Sequence, residues 1–200
     1  IRMRARAQAQ LAAAPDSAPM PIPGEAPPVK TVLLIANDAD GSLAPAQQQL
    51  VLPTETTARA RTLLNDLFAE YAEPDSPHPL AAVPAVNDVF LLPVPESTPA
   101  GAQQMAVVNL SSSFVDHHPS GILVETLTLL SILGTLHANL PQIAQVRFLV
   151  DGHPRDTLAG HADLSRTYLT ANDVPGVAAT EAASPQDAVP SQKSPAGSQP

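Results

Sequence analysis

The sequence predicts an α+β fold in which two helices pack on one small mixed or antiparallel sheet, as a two-layer sandwich with a ββαββαβ-like order. Short apolar, β-branched runs bounded by turn residues indicate the strands. Two longer segments with helical periodicity indicate the helices. Hydrophobic residues make up 44% of the 200 residues, which is enough to build the core that such a sandwich requires.

The prolines divide the chain into three segments. Of the 23 prolines, six fall in residues 1–29 and five in residues 171–200. Pro/Ala-rich stretches form extended spacers, and a segment with few large apolar residues does not fold on its own. We therefore predict a Pro/Ala-rich linker over residues 1–28, a folded domain over residues 29–170 and a disordered tail over residues 171–200.

The first half of the domain predicts a strand pair followed by a helix. The run TVLLIA at residues 31–36 indicates a buried strand, and a second strand is expected at Gln48–Leu52. Thr54 or Thr56 then caps a helix, and Glu55 is favourable in its first turn. One face of this helix is apolar, through Leu63, Leu64, Leu67, Phe68 and Tyr71.

The second half predicts two strands, a long helix and a closing strand. Asp88–Val94 and Gln104–Leu110 are expected to form an antiparallel pair joined by a long turn. Residues 120–140 predict a nearly buried helix that lies across the sheet. Gln145–Val150 is the next strand, and after the tight turn of an Asp-Gly pair a short return strand is expected near Arg155–Leu158.

The helix predicted over residues 120–140 is the most apolar segment of the chain. Its length approaches the ~20 residues of a membrane span. Glu125, His137 and Asn139 argue against a span, because polar and ionisable side chains are costly inside a bilayer. We therefore expect a core helix.

Composition and charge exclude several classes of function. The net charge of −9 repels phosphate backbones, so we expect no nucleic-acid partner. The chain has no cysteine, which excludes disulfides, thiolate zinc sites and a lipid-modified cysteine within it. With aromatic residues at 3% and no tryptophan, the core must consist of Leu, Val, Ala and Ile.

The opening segment bears on membrane attachment. Arg2, Arg4 and Arg6 are followed by small residues in a chain that starts at Ile1. Such a stretch either flanks a membrane helix or signal segment upstream of Ile1, or forms the exposed start of the linker. It is not itself a signal peptide, because no apolar run of ~7–15 residues follows the arginines.

Two features invite a metal-binding interpretation. Asn37–Gly41 resembles the start of a calcium loop, but aligning Gly41 with the invariant glycine puts Ala36 and Gln47 where the anchoring carboxylates are required. A turn after a strand is the better interpretation. The six histidines lack the helical spacing of zinc ligands, and we expect all but the partly buried His137 to be exposed in loops.

Every residue type of a hydrolase triad occurs in the segment Ser111–His118, through its three serines (Ser111, Ser112 and Ser113), Asp116 and His117. Triad members must converge in space, which near neighbours in one loop rarely do, and the strained nucleophile turn is missing. We expect its serines to act as turn and cap residues before the long helix, and Glu125 to favour the first turn of that helix. The sequence therefore predicts no catalytic, cofactor-binding or metal-binding residues, no cofactor and no enzyme activity.

Six segments form a recognisable pattern in their order and spacing over about residues 29–168. They are TVLLIANDADG, the helix with Leu63, Leu64 and Leu67, VVNLSSSF at 107–114, the Leu-rich helix, VRFLVDGHP at 146–154 and GHADLS at 160–165. This pattern resembles the GerMN (sporulation and spore germination) domain family. The resemblance implies a small α/β domain without known catalytic residues. Such domains occur in membrane-anchored or lipoprotein components of bacterial envelopes and are similar to ring-building modules of secretion-type complexes.

Two features depart from the family pattern. The chain has no cysteine to carry a lipid, so an anchor would be a helix upstream of Ile1. It also has one copy of the domain, whereas sporulation members can carry two.

Three functional hypotheses follow. The leading hypothesis is a non-catalytic, extracytoplasmic interaction and assembly module that contacts envelope proteins or another copy of itself through a sheet edge and an exposed helix face. The second is a binder of a ligand or cell-wall fragment that uses loops 75–87 and 95–104. The third is a hydrolase around Ser111–His118.

Overall fold

The computed structural model describes residues 27–95 and 102–171. The predicted linker over residues 1–28 and the predicted tail over residues 171–200 lie outside these residues, apart from residues 27, 28 and 171. The elements of the described part of the chain are β1 (Val29–Asn37), β2 (Ser42–Leu50), α1 (Thr56–Ala72), β3 (Val86–Pro93), β4 (Gln104–Leu110), α2 (Ser112–His117), α3 (Ile122–Asn139), β5 (Ile143–Val150) and β6 (Tyr168–Leu169).

The strands form two sheets. β1 and β2 make an antiparallel hairpin, and β3, β4, β5 and β6 make a four-stranded sheet in that order. Within it β4 and β5 run parallel, while the other two pairs are antiparallel. The α+β class and the ββαββαβ-like order are confirmed, but the expectation of one sheet is wrong.

Side chains from two helices, rather than another strand, cover the second edge of β1. Asn139 and Thr135 of α3 and Tyr71 of α1 provide oxygen atoms that accept N–H groups of β1 at 2.9–3.0 Å. Backbone groups at a covered edge need such partners, and here they come from helices. Asn139 accepts the N–H of Val32, Thr135 that of Leu34 and Tyr71 that of Ala36.

β2 spans Ser42–Leu50 instead of the predicted Gln48–Leu52, because Pro45 does not interrupt it. Pro45 lies opposite Leu34, whose N–H points towards α3 and not towards β2. At such a position of an antiparallel pair, the backbone groups of both residues point away from the partner strand. The missing N–H of proline therefore costs no hydrogen bond within the hairpin.

α1 begins at an acidic cap. Glu55, and not Thr54 or Thr56, is the N-cap residue, because its carboxylate accepts the N–H groups of Thr57 at 2.9 Å and Ala58 at 2.6 Å. A carboxylate at this position also interacts favourably with the helix dipole. The predicted apolar face is confirmed by the burial of Leu63, Leu64, Leu67, Phe68 and Tyr71.

α3 is the central helix of the core, and it contacts β1, β5 and α1. By length and composition it would be able to cross a membrane, but more than half of it is buried inside the domain. Three polar side chains on it, Thr128, Ser131 and Thr135, are fully buried and hydrogen-bonded. These features are typical of a core helix, as the sequence predicts.

The return strand expected near Arg155–Leu158 is absent from the described residues. Asp151 and Gly152 form the tight turn, both with positive φ, but the segment after them makes only single β-bridges. The strand that pairs with β5 is β6, further along the chain. Residues 156–158 instead contact the chain just beyond them, since the N–H of Leu158 donates to the carbonyl of Ala162 and the N–H of Leu164 donates to that of Asp156. Between these contacts, the N–H groups of Ala159, His161 and Ala162 bind the side chain of Glu125 on α3.

Candidate interaction surface

The outer edge of β2 pairs with no described strand. Val32, Leu34 and Ala36 of β1 direct their N–H groups to the helices, so the β2 residues opposite them direct their backbone outwards. From the register, the outward-facing positions of β2 are Leu43, Pro45, Gln47 and Gln49. All of these except Pro45 present both an N–H and a C=O group to an incoming strand.

The chemistry of β2 leaves this edge unprotected. Edge strands are commonly guarded by charged side chains, prolines, bulges or a covering element. β2 contains no charged residue, and its register with β1 is continuous from end to end. Pro45 blocks one position, and the edge from Gln47 to Leu50 remains open. This stretch fits the mode of recognition in which an extended segment adds to a sheet edge.

Exposed apolar side chains flank the β2 edge at both ends. Ile122 is 72% exposed and Leu123 is 50% exposed, both in the first turn of α3. Leu123 reaches the turn that leads into β2, since its Cδ1 lies 3.4 Å from the position that a Cβ atom on Gly41 would take. Val51, directly after β2, is 57% exposed. Together with the β2 edge, these three side chains form a surface that we call the β2 surface.

The outer strand of the other sheet has a different character. β3 pairs only with β4 among the described strands and exposes Phe90 and Leu92. However, it carries Asp88, which forms an ion pair with Arg61 of α1 at 3.3 Å, and it ends in Pro93. A charged pair and a proline are typical protections of a sheet edge, so β2 is the more open of the two edges.

Glu125 holds the long segment after β5 against the start of α3. Its side chain is fully buried, and its carboxylate accepts the N–H of Gly121 at 3.0 Å. The imidazole of His161 lies 2.8 Å from the same oxygen. The other oxygen accepts three N–H groups at 2.9 Å, from Ala159, His161 and Ala162.

These contacts determine the ionisation of Glu125. Burial raises the pKa of its carboxyl group, but the hydrogen bonds from Gly121, Ala162, Ala159 and His161 outweigh burial and lower the pKa from 4.5 to about 2. The group is therefore a carboxylate throughout the physiological pH range. The sequence predicts only a helix-dipole role for this residue, whereas the structure adds that of a clamp on the 159–162 segment.

His78 and His118 are buried, with 0% and 7% exposure, so the expectation that they lie exposed in loops is wrong. Both turn their Nε2 atoms to the hydroxyl of Thr128, each at 2.8 Å. Asp38 lies 2.5 Å from Nδ1 of His78. A buried hydroxyl needs hydrogen-bond partners, so Thr128 within an apolar helix was the sequence signal for this cluster. The partly buried position of His137 is confirmed.

The order Asp38–His78–Thr128 is that of the acid–base–nucleophile relay of hydrolases. However, Thr128 has no exposed surface. Its hydroxyl oxygen is enclosed by the two imidazoles and by the carbonyl of Val124 at 3.0 Å. A substrate carbonyl has no access to this oxygen, and the arrangement is a structural connection between α3 and two loops.

The structure does not assemble the triad proposed for Ser111–His118. Ser111 caps α2 by accepting the N–H of Phe114 at 3.1 Å, in line with a capping role, although α2 is a short helix that the sequence does not predict. Asp116 pairs with Arg155 at 3.5 Å on the surface. His117, the histidine of that triad, places its Nδ1 at 2.7 Å from the backbone carbonyl oxygen of Ser113, and His118 points inwards to Thr128.

The Asn37–Gly41 segment forms the predicted turn. The side chain of Asn37 accepts the N–H of Ala39 at 2.9 Å, and that of Asp40 accepts the N–H of Ser42 at 3.0 Å. The third oxygen-bearing side chain, Asp38, binds His78. Within residues 27–95 and 102–171, no group of three or more His, Asp or Glu side chains is placed to hold a metal ion.

Two cavities bear on the ligand-binding hypothesis. One of about 320 Å³ lies between α3 and His161, Asp163, Arg166 and Tyr168, outside the loops that the sequence suggested. Its charged groups and His161 already have partners, since Arg166 stacks on Tyr168 at 4.0 Å, Asp163 accepts the N–H of Ser165 and His161 binds Glu125. A mostly apolar groove of about 410 Å³ involves residues 82–86 of the suggested loop 75–87. Of the loop 95–104, residues 96–101 lie outside the described residues.

Comparisons with known proteins identify relatives of the chain. The sequence profile of the family Germane, described as sporulation and spore germination, matches residues 33–156. No curated protein matches the chain significantly. Several solved structures are similar to it at low identity.

Two of these structures come from the sporulation protein GerM of Bacillus subtilis. Its first GerMN domain is 20% identical with a TM-score of 0.38, and the match covers 69% of this chain and 98% of that one. Its tandem GerMN domains are 15% identical with a TM-score of 0.39, covering 70% of this chain and 46% of that one. A candidate lipoprotein from Clostridium perfringens is 20% identical with a TM-score of 0.36, covering 74% and 92%.

Proposed function

The chain belongs to the sporulation and spore germination (GerMN) family, and we propose that it is a non-catalytic interaction and assembly module that acts outside the cytoplasmic membrane of a bacterial cell. Its partners are envelope proteins or other copies of the same chain. Attachment to the membrane is through a segment upstream of Ile1, with the Pro/Ala-rich linker as a spacer.

The observation that carries this proposal is the open edge of β2. An uncharged strand with unpaired outward N–H and C=O groups is a template for another strand. The exposed Ile122, Leu123 and Val51 beside it provide apolar area at both ends of the same surface. Main-chain hydrogen bonds then supply affinity, and the apolar side chains supply specificity.

The proposed module is non-catalytic because its candidate serine, threonine and carboxylate groups are engaged in structural contacts or are inaccessible. Ser111 is engaged as a helix cap, Glu125 is enclosed by backbone N–H groups, and Thr128 is inaccessible. Each of these groups has a structural partner. We therefore assign them to the stability of the domain that displays the β2 surface.

The proposal is tested by site-specific photo-crosslinking in cells of the source organism, with the full-length protein. A crosslinking amino acid at Gln47 or Gln49 is expected to give an adduct with an envelope protein or with a second copy of the chain. The control position is Glu70, which is exposed on α1 away from the β2 surface. Absence of adducts from Gln47 and Gln49, or equal adducts from Glu70, would contradict the proposal.

The location is tested separately. Because the chain has no cysteine, Gln49→Cys introduces one thiol at an exposed position. A membrane-impermeant maleimide is expected to label this thiol in intact cells, with the unsubstituted protein as control. Labelling only after the cytoplasmic membrane is permeabilised would place the domain in the cytoplasm.

A further inference from the structure

β2 and the residues beside it form an uncharged stretch in an acidic chain. No residue from Gly41 to Thr54 is charged, although the whole chain has a net charge of −9. In a dimer with two-fold symmetry the same surface of both copies meets, so a charge on the axis faces a like charge. Pairing of β2 with β2 avoids this repulsion, because the strand brings no charge to the contact.

The side chains of β2 are able to pair with their own kind. Gln47, Gln48 and Gln49 follow one another, and their side chains are exposed or half-buried. An amide group both donates and accepts hydrogen bonds, so a glutamine can bind another glutamine across a pair of strands. Rows of facing glutamine amides stabilise stacked strands in this way.

Pro45 restricts the register of such a pair, because it has no N–H. The backbone groups of Gln47 and Gln49 point outwards, whereas those of Gln48 point to β1. With the two-fold axis at Gln48, each Gln47 lies opposite Gln49 of the second copy, and both exchange N–H···O=C bonds. Pro45 then lies opposite Val51, outside these central pairs. An axis at Gln47 would instead set Pro45 opposite Gln49 and leave a C=O group of Gln49 unpaired.

The same axis brings the apolar ends of the β2 surface together. Val51 lies at one end, and Ile122 and Leu123 lie at the other. A two-fold axis at Gln48 exchanges the two ends, so Val51 of each copy comes beside the end that carries Ile122 and Leu123 in the other copy. Apolar side chains that are exposed in the single chain are thereby removed from water in both halves of the contact.

We propose that the chain forms a two-fold symmetric dimer in which β2 pairs antiparallel with β2 of a second copy, with the axis at Gln48. The two hairpins become one continuous sheet in the order β1–β2–β2–β1. Side chains of α1 and α3 occupy the other edge of β1, so no further copy adds to this sheet and the assembly closes at two copies. This inference rests on the proposed function and names the partner of the β2 surface as the same chain.

The first test traps the dimer with a disulfide in the 200-residue chain, which has no cysteine of its own. Gln48→Cys sets two thiols opposite each other at the axis, in a non-hydrogen-bonded pair whose Cα atoms lie about 4.5 Å apart, within the range of disulfides. The matched control is Gln49→Cys, at a more exposed position. Its two copies are diagonal neighbours about 7–8 Å apart, a distance that a disulfide does not span without backbone movement.

With oxidised glutathione, Gln48→Cys is expected to form the disulfide dimer at least about tenfold faster than Gln49→Cys, because pairing raises the effective concentration of the facing thiols. Equal rates, or a faster reaction of Gln49→Cys, would overturn the proposal.

The second test uses charge at the axis and is read by analytical ultracentrifugation over a range of concentrations. The contact of one strand from each copy is small, so the parent is expected to dimerise weakly and in proportion to its concentration. Gln48→Lys and Gln48→Glu each set like charges against each other and are expected to stay monomeric. Their mixture sets opposite charges together and is expected to restore the dimer. A parent that stays monomeric at every concentration, or a mixture that associates no more than its components, would overturn the proposal.

Failure of this inference and failure of the proposed function give different results. If the crosslinker at Gln49 captures an envelope protein in cells while the purified chain does not dimerise, the dimer is wrong and the proposed function stands. If the crosslinker captures nothing and the chain does not dimerise, both are wrong. Capture of a second copy, together with the fast disulfide of Gln48→Cys, supports both.

Discussion

The substitution Glu125→Gln tests whether one carboxylate holds the 159–162 segment to the core. Glutamine preserves the shape of the side chain but replaces one oxygen with an NH2 group. In one orientation the NH2 group replaces the oxygen that accepts the N–H of Gly121. In the other it replaces the oxygen that accepts the N–H groups of Ala159, His161 and Ala162. Backbone donors that were paired are left unsatisfied in a buried site, which is costly.

The magnitude follows from the pKa of the carboxyl group. In the folded chain it is lowered from 4.5 to about 2. A pKa difference of one between folded and unfolded chains corresponds to about 1.4 kcal/mol, so the ionised form contributes about 3 kcal/mol to the free energy of unfolding. This contribution is complete above pH 4.5 and is lost as the pH falls towards 2, because the folded pKa is the lower one.

Urea unfolding at pH 7, followed by circular dichroism, measures the effect. Glu125→Gln is expected to lower the free energy of unfolding by about 3 kcal/mol and to remove part of the pH dependence between pH 4.5 and pH 3. The matched control is Glu70→Gln, at an exposed position of α1, with an expected change within about 0.5 kcal/mol. If Glu125→Gln is as stable as this control, the clamp does not exist as described.

Three further substitutions test the supports of the fold, each by urea unfolding at pH 7. Thr135→Val leaves the N–H of Leu34 without a partner and should cost about 1–3 kcal/mol. Tyr71→Phe does the same for the N–H of Ala36, again at about 1–3 kcal/mol. Ser111→Ala removes the N-cap of α2 and should cost about 1 kcal/mol.

Conservative variants serve as controls for these predictions. Thr135→Ser and Ser111→Thr keep the hydroxyl group and are expected to retain most of the stability that the deletions remove. For Tyr71, absorbance at 295 nm should show one tyrosine of the folded chain that does not ionise below pH 11, because burial raises its pKa to about 12. Equal losses in the conservative variants would mean that packing, not hydrogen bonding, is responsible.

Much of the secondary structure was predictable because its signals are local. The apolar run of β1 and the periodic leucines of α1 identify these elements without knowledge of their neighbours. The cap of α1 was misassigned because threonine is usually preferred over glutamate at that position. The prediction of a return strand near Arg155–Leu158 was wrong because Asp156 and Leu158 form backbone hydrogen bonds with Leu164 and Ala162, within a loop that the distant Glu125 holds in place.

The candidate surface depends on contacts between residues far apart in sequence. Whether β2 has a free edge is decided by Asn139 and Tyr71, which cover the other edge of the hairpin from two helices. No local pattern indicates that pairing. The same holds for His78, whose burial depends on Thr128, 50 residues away. The polar residues within the apolar α3 were visible in the sequence, but their partners were not.

One measurement tests the role of the β2 edge most directly, the comparison of Gln47→Pro with Gln47→Ala. Gln47 lies opposite Val32, whose N–H and C=O bind Asn139, so proline at this position removes an outward N–H and no hydrogen bond within the hairpin. Both variants should therefore unfold like the parent.

With the photo-crosslinking residue at Gln49 of the full-length protein in cells, Gln47→Ala is expected to give the adduct of the parent, because its N–H remains. Gln47→Pro is expected to reduce the adduct to background. If Gln47→Pro is folded and gives as much adduct as Gln47→Ala, partners do not bind by adding a strand to β2, and the central claim is wrong.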